Sequence, residues 1–355
     1  MLRAFAVAFI VFMFTGCSTK VDLNTDWEDI TIVYGLMDQN DEYHWVKINK
    51  AFLGDGSYYD YAMIRDSSEY DNVTAYVQEL SNGVIVKTYT LRDTELTNRP
   101  TNGVFFAPEQ TVYYFKSTTL NPANTYKLVA HLNEGTAHEK EVTAETRLEA
   151  DFNITNFTSL AFGTYNVSDP DPNIYNEHHL KFIPPPTSDL YEIMLRIKWD
   201  EYTSTDTTRV RHDWVVGKAT RNDMVDGVVN FDISGEAFYK TIRAAVLANN
   251  DPAVYKRVFR SVDVQVYAAS DDLATYITVN SAQTGLVQER PEFTNVSNGL
   301  GIFAARIHET LANKSLGLGP MRLLVHGNHT HDLLFCTDTT STIYTLASPP
   351  TVVCP

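Results

Sequence analysis

Most of the chain beyond Ile30 is written in short runs of alternating apolar and polar positions, broken by Gly, Asn, Pro and Ser. A period of two is the signature of half-buried strands and not of amphipathic helices. Runs at 30–36, 43–50, 73–80, 84–91, 112–117, 126–132 and 139–146 each fit one strand. Two joints read as hairpins, Ser81-Asn82-Gly83 and Asn133-Glu134-Gly135, because Asn and Gly tolerate the positive φ of a tight turn. Strands at this spacing predict a β-sandwich over 29–148.

Beyond Leu148 the punctuation changes to Asp169-Pro170-Asp171-Pro172 and Pro184-Pro185-Pro186, and helical periods enter. Strands are predicted at 179–183, 191–202, 210–216, 228–233 and 258–268. In the last of these, Val258, Val262, Val264 and Val266 mark one parity. A helix opened by Ser234 and Glu236 places Phe238, Ile242, Ala245 and Val246 on one face and stops before Pro252. A second begins at Ser270, carries Asp271 and Asp272 in its first turn, and is expected to bury Leu273, Tyr276 and Ile277. The segment Leu120-Asn121-Pro122 followed by Thr125-Tyr126-Lys127-Leu128 resembles the approach to a late strand in fibronectin type III and related immunoglobulin-like modules, where the Tyr packs at a corner. The fold class expected is therefore mainly β. An immunoglobulin/fibronectin-III-like sandwich over 29–148 is followed by a β-rich domain over 149–355 with two short helices.

The first sixteen residues need a different reading: Arg3, an apolar run from Ala4 to Phe14, then Thr15-Gly16-Cys17. The run has signal-peptide length and falls short of the ~20 apolar residues of a membrane-spanning helix. Its boundary resembles the lipobox of bacterial lipoproteins, with Phe14 where Leu is more usual. The resemblance implies cleavage after residue 16, acylation of Cys17, and a polar tether over 17–28. Of the three cysteines, Cys336 and Cys354 are then left to pair in an oxidising compartment, closing the C-terminal tail, or to stand as two thiols. A bridge would add about 3 kcal/mol in the chain-entropy model. With 28 Lys+Arg against 44 Asp+Glu the net charge is −16. Phosphate backbones and anionic lipid headgroups are repelled, which argues against nucleic acid and leaves lipid on Cys17 as the attachment to the bilayer.

Phe293-Thr294-Asn295-Val296-Ser297-Asn298-Gly299-Leu300-Gly301-Ile302-Phe303, with the lipobox and Ile32-Val33-Tyr34-Gly35-Leu36, resembles a family of uncharacterised Bacteroidetes outer-membrane lipoproteins. That resemblance implies an immunoglobulin-like sandwich, a larger β-rich domain, and a gene often near TonB-dependent receptors. It brings no catalytic residue. Ser18-Thr19-Lys20-Val21-Asp22 carries less acid than surface-export signals of such lipoproteins, although the cell surface is preferred over the periplasmic face.

Candidate chemistry is sparse. Gly299-Leu300-Gly301 lacks the third glycine of a dinucleotide loop and reads as close backbone packing. His308-Glu309 fails as a zincin helix because Ala312 stands where the second His is needed. Asp169-Pro170-Asp171-Pro172-Asn173 has Ile174 and Leu180 where an EF-hand has Gly and Glu, so an inter-domain loop is the better reading. His326, His329 and His331 form the most metal-like stretch, weighed against a polar turn between apolar segments. Tyr58, Tyr59 and Tyr61 offer flat apolar faces with polar tips to a glycan or protein, or cover the domain's own core. No Gly-x-Ser-x-Gly elbow is present. The expectation is a non-enzymatic protein without a cofactor, an interaction or assembly subunit of an outer-membrane β-barrel or TonB-dependent receptor complex. The alternative is a glycan- or nutrient-binding lipoprotein serving a TonB-dependent transporter.

Overall fold

A computed structural model describes residues 30–51, 58–97, 101, 103, 106–107, 109–280 and 293–336. The fold is mainly β: among the described residues 54% are strand and 16% helix. Eight strands form first: β1 (Ile30–Asp38), β2 (Tyr43–Ala51), β3 (Val73–Ser81), β4 (Val84–Thr90), β5 (Arg92–Leu96), β6 (Gln110–Lys116), β7 (Thr125–Leu132) and β8 (Lys140–Arg147). Two short helices, α1 (Tyr58–Ala62) and α2 (Arg65–Ser68), lie between β2 and β3. Seven of these strands match the alternating runs. The eighth, β5, is Arg-Asp-Thr-Glu-Leu on a sheet edge, where no buried parity exists to mark it.

These strands divide between two facing sheets, one carrying β1-β2-β6-β5 and the other β8-β7-β3-β4. Val33, Met37, Val46, Ile48 and Phe115 from the first meet Val77, Tyr126, Leu128 and Val142 from the second in one apolar cluster. The β3–β4 turn holds Asn82 at φ 49° and Gly83 at φ 79°, the mirror-image turn that matches strand twist. At the entry to β7, the Tyr126 hydroxyl accepts from the Asn121 backbone N–H at 2.7 Å and donates to the Asn121 carbonyl at 3.3 Å.

The second half contributes β9 (Asn153–Ile154), β10 (Ser159–Leu160), β11 (Gly163–Tyr165), β12 (Asn173–Tyr175), β13 (Glu177–Ile183), β14 (Leu190–Tyr202), β15 (Thr207–Thr220), β16 (Met224–Val225), β17 (Val228–Ser234) and helix α3 (Gly235–Ala248). There follow β18 (Lys256–Ala269), α4 (Asp271–Asn280), β19 (Val296–Ser297), β20 (Gly299–Leu316), α5 (Leu318–His326) and β21 (Phe335–Cys336). Ser234 caps α3 by accepting from the Ala237 N–H at 3.3 Å, as its sequence position predicts. Ile193, Leu195, Ile197 and Trp199 of β14, with Val262, Val264 and Val266 of β18, face Leu180 and Phe182 of β13 and Phe238, Ile242 and Val246 of α3 in a second core.

Strand β20 couples the halves. Its first part runs parallel to β1, with Tyr34 opposite Ile302, and its later part antiparallel to β18, with Tyr267 opposite His308. The two sheets thereby merge into the order β15-β14-β18-β20-β1-β2-β6-β5. Just before it, β19 pairs with β8 in the opposite sheet. Asn298, at φ 58°, carries the chain from one sheet to the other. Val296, Phe303 and Ala305 enter the first core, so that core draws strands from far outside 29–148. Fully burying Phe303 contributes about 2–3 kcal/mol. Gly301, at φ 102°, lets the backbones close: a Cβ there would lie 2.0 Å from the Val33 carbonyl oxygen.

Besides β5, several elements differ from the sequence reading, which expected two helices and no strand at β20. Helix α4 buries Ala274, while Leu273, Tyr276 and Ile277 are only half-buried. Helices α1, α2 and α5 are additional, and α5 begins at Gly317-Leu318-Gly319-Pro320, where Pro is tolerated because it stands in the helix's first turn. Among the described residues no helix is long and apolar enough to cross a membrane.

Candidate functional site

The most distinctive surface lies on the outer face of the β1–β2–β6 sheet. Alternation along β2 sends His44, Val46 and Ile48 inward and leaves Tyr43 and Trp45 facing out. On β6, Tyr113 and Phe115 enter the core and Tyr114 faces out directly opposite Trp45. The three rings touch. Tyr43 and Trp45 lie 6.2 Å apart and only 23° from parallel, and Tyr114 sits 5.2 Å from Trp45 and 5.8 Å from Tyr43. Lys116 Nζ lies 5.4 Å from the Tyr43 ring and pairs with Glu42 at 2.8 Å. Tyr34 continues the face from β1, its ring edge-on to Tyr276 of α4 at 6.5 Å. Tyr34, Tyr43 and Trp45 are each 42–47% exposed, unusual for side chains this large.

A second apolar surface is the free side of β4, which ends the five-stranded sheet and pairs only with β3 among the described residues. Val84, Ile85 and Val86 are each more than half exposed. Consecutive strand residues point to opposite faces, so a run of three exposed aliphatics means that neither face is covered there.

Where the halves meet, buried Asp38 accepts from Arg306 Nε at 2.7 Å and lies 2.9 Å from His308 Nδ1. Burial works to raise the Asp38 carboxyl, but hydrogen bonds and charge from His308 and Arg306 outweigh it and hold it below the ordinary carboxylate range. The Asp38 hydrogen bond in turn raises His308 above the usual imidazole value, against a smaller opposing effect of burial. Arg306 also stacks on Tyr267, 4.7 Å from the ring centre. Beside this junction an open cleft of about 800 Å³ is lined by Asn124, Glu145, Arg147, Glu149, Asp271 and Asp272 among others. Burial raises the Glu149 carboxyl against hydrogen bonds from Thr187 and Ser188, and burial with Asp189 and Asp272 nearby raises Asp271. These carboxylates are tied into the fold. Gln39 clamps the Glu149 backbone at both its N–H and its carbonyl, and Asn295 donates to Asp272 at 3.0 Å.

The residues singled out in the sequence are dispersed. Cys17 and Cys354 lie outside the described residues, so the lipid site and the Cys336–Cys354 pair do too. Cys336 is buried on β21, which pairs with β18. In α1, Tyr59 is exposed and Tyr61 half-buried; the Tyr58 side chain lies outside the described ones. The three histidines are turned apart: His326 packs on Tyr165, His329 Nε2 meets Glu236 at 3.1 Å, and His331 Nδ1 lies 3.2 Å from the Gly327 carbonyl. Among the described residues no group of three His, Cys, Asp or Glu side chains is placed to hold a metal. Asp169 and Asp171 cap their own turn through bonds to the Asp171 and Asn173 N–H groups. The Tyr43–Trp45–Tyr114 array went unmarked because neither parity of Tyr43-His44-Trp45-Val46 reads as the polar one, and Tyr113-Tyr114-Phe115 carries rings on both. The signal that could have found it is a strand with aromatics on both faces. Compared with known proteins, the chain matches no family model and no curated sequence.

Proposed function

We propose that the protein is a lipoprotein of the outer membrane, held by acylated Cys17 and displayed on the cell surface. It works as a non-enzymatic interaction subunit of a β-barrel or TonB-dependent receptor complex. The observation that carries this reading is the outer edge of β4, bare among the described residues. A strand paired on one side only, with Val84, Ile85 and Val86 exposed, offers main-chain hydrogen bonds and apolar contacts to an added strand, a mode of recognition available to polypeptide. Soluble proteins ordinarily blunt such edges with charge or Pro, and β4 carries only Lys87.

The immunoglobulin/fibronectin-III-like reading of the first half belongs to the same proposal. It is supported by the strand orders β1-β2-β6-β5 and β4-β3-β7-β8 and by the Tyr126 hydroxyl closing back on Asn121. A bridge from Cys336 to Cys354 would fasten the tail against β18. Peptide mapping without reductant tests it, and two free thiols would reject it.

Affinity purification of the full chain from native membranes tests the function. A stoichiometric membrane partner is expected, lost in Ile85→Lys and Val86→Pro variants that keep their thermal transition. A chain that purifies alone, or a partner indifferent to both substitutions, rejects the β4 reading. Cys17→Ala is expected in the soluble fraction; retention on the membrane would reject the anchor.

A further inference from the structure

The Tyr43–Trp45–Tyr114 face is not absorbed by strand addition at β4, because it lies on the other sheet of the sandwich. From its composition and geometry we infer that it is a binding shelf for a neutral glycan.

Three features choose the occupant. Every exposed large side chain at its centre is an aromatic with a polar tip, which suits the C–H face and hydroxyl rim of a pyranose better than the aliphatic anchors of a helix or strand would. The Tyr43 and Trp45 rings have centres 6.2 Å apart and planes 23° from parallel, a spacing of centres close to one sugar step along a chain, and Tyr114 flanks them on the next strand. Charge weighs against acidic sugars: Lys116 beside the shelf is matched by Glu42, and the −16 of the whole chain outweighs Arg92, opposite Tyr114 on β5, and Lys47, opposite Tyr34 on β2. The shelf is also pre-built, since Tyr43 and Trp45 share one strand and Tyr114 is held in register opposite Trp45 by the β2–β6 ladder. Little ordering is left for a ligand to impose.

The inference is independent of the β4 reading, and its test is separable. Detergent-purified full chain is run through native gels containing starch, mixed-linkage β-glucan, xylan, mannan or dextran, with polygalacturonate as the acidic control. Retardation by at least one neutral polysaccharide is expected, weakened about ten-fold or more by Trp45→Ala and by Tyr114→Ala. It should be unchanged by Ile85→Lys and absent with polygalacturonate. Trp45→Phe, which keeps a ring at that position, should retain part of the binding and guards against a folding defect in the alanine variant. Intrinsic fluorescence, read in a Trp27→Phe background because Trp27 lies outside the described residues, should shift on adding the retarding glycan, and the shift should vanish with Trp45→Phe, because Trp199 is buried and Trp214 packs against the second core. Unchanged mobility on every gel, retardation that survives both alanine variants, or preference for polygalacturonate each overturns the inference. So does a membrane protein whose capture depends on Trp45, which would assign the shelf to a polypeptide.

Discussion

Gly35 on β1 and the Phe303 ring on β20 occupy one shared space: a Cβ at Gly35 would stand 2.6 Å from Phe303 Cδ2 and 3.3 Å from Val46 Cγ2. Phe303 is fully buried among the first core's side chains and cannot swing away. Gly35→Ala should therefore cost about 1–3 kcal/mol, the usual penalty of overpacking, seen as a lower urea midpoint at constant slope. Phe303→Leu alone leaves a void. Combined with Gly35→Ala, it should cost less than the sum of the two, and strict additivity would show that the two side chains do not compete.

The Asp38–His308 pair sets a pH dependence of definite sign. His308 is raised in the folded protein, so its contribution is complete below the unfolded imidazole value near 6.5 and is lost as pH rises through the higher folded value. His44 and His178 act oppositely. Burial lowers both, so the unfolded chain takes up their protons first and stability falls as pH drops below about 6.5. The difference in unfolding free energy between the native protein and His308→Gln should be largest at acid pH, roughly 1.5–3 kcal/mol for a hydrogen bond to a charged group, and shrink toward pH 9. A difference that is flat from pH 5.5 to 9 would remove the charge from the account.

Arg257 fastens the last described segment. Its guanidinium is buried, bonds Glu201 at 2.7 Å and the Leu333 carbonyl at 2.9 Å, and its backbone N–H reaches the Leu334 carbonyl at 2.8 Å. Arg257→Met strands Glu201 and should cost about 3–5 kcal/mol. Limited proteolysis should then cut after Asp332 well before the β14–β18 core yields. Simultaneous digestion of both would show that the tail does not open as a separate unit.

Tyr126→Phe removes only an oxygen. It leaves the Asn121 N–H without its acceptor at a part-buried site, at a cost of about 1 kcal/mol by calorimetry. A neutral result would mean that water replaces the hydroxyl.

Much of this architecture was legible from alternation alone, because strands buried on one face leave a period-two trace: 73–80, 126–132 and 191–202 fall almost on β3, β7 and β14. What escaped was written differently. In β20, Ile302, Phe303, Ala304 and Ala305 are buried on both parities because the strand is covered on both faces, and its second half is largely polar and half-buried, so neither half alternates. Its Gly299 and Gly301 are close-packing glycines, as their sequence reading has them, because β1 passes too close for side chains. The surfaces were harder still. Trp45 and Tyr114 are three strands of chain apart and become neighbours only through the β2–β6 register, whereas Tyr58, Tyr59 and Tyr61 drew the eye by adjacency in sequence.

The placement of β20 also sets a timetable. Synthesis at roughly 5–20 residues per second puts on the order of 10–60 seconds between the appearance of β1 and that of its parallel neighbour. Until then the first sandwich lacks Phe303 and Ala305 and has an open flank along β1. On the proposed lipoprotein reading the chain has to remain loose until it has crossed the inner membrane, and a core that cannot close before Phe303 is made would keep it threadable, at the expense of a long exposure to aggregation.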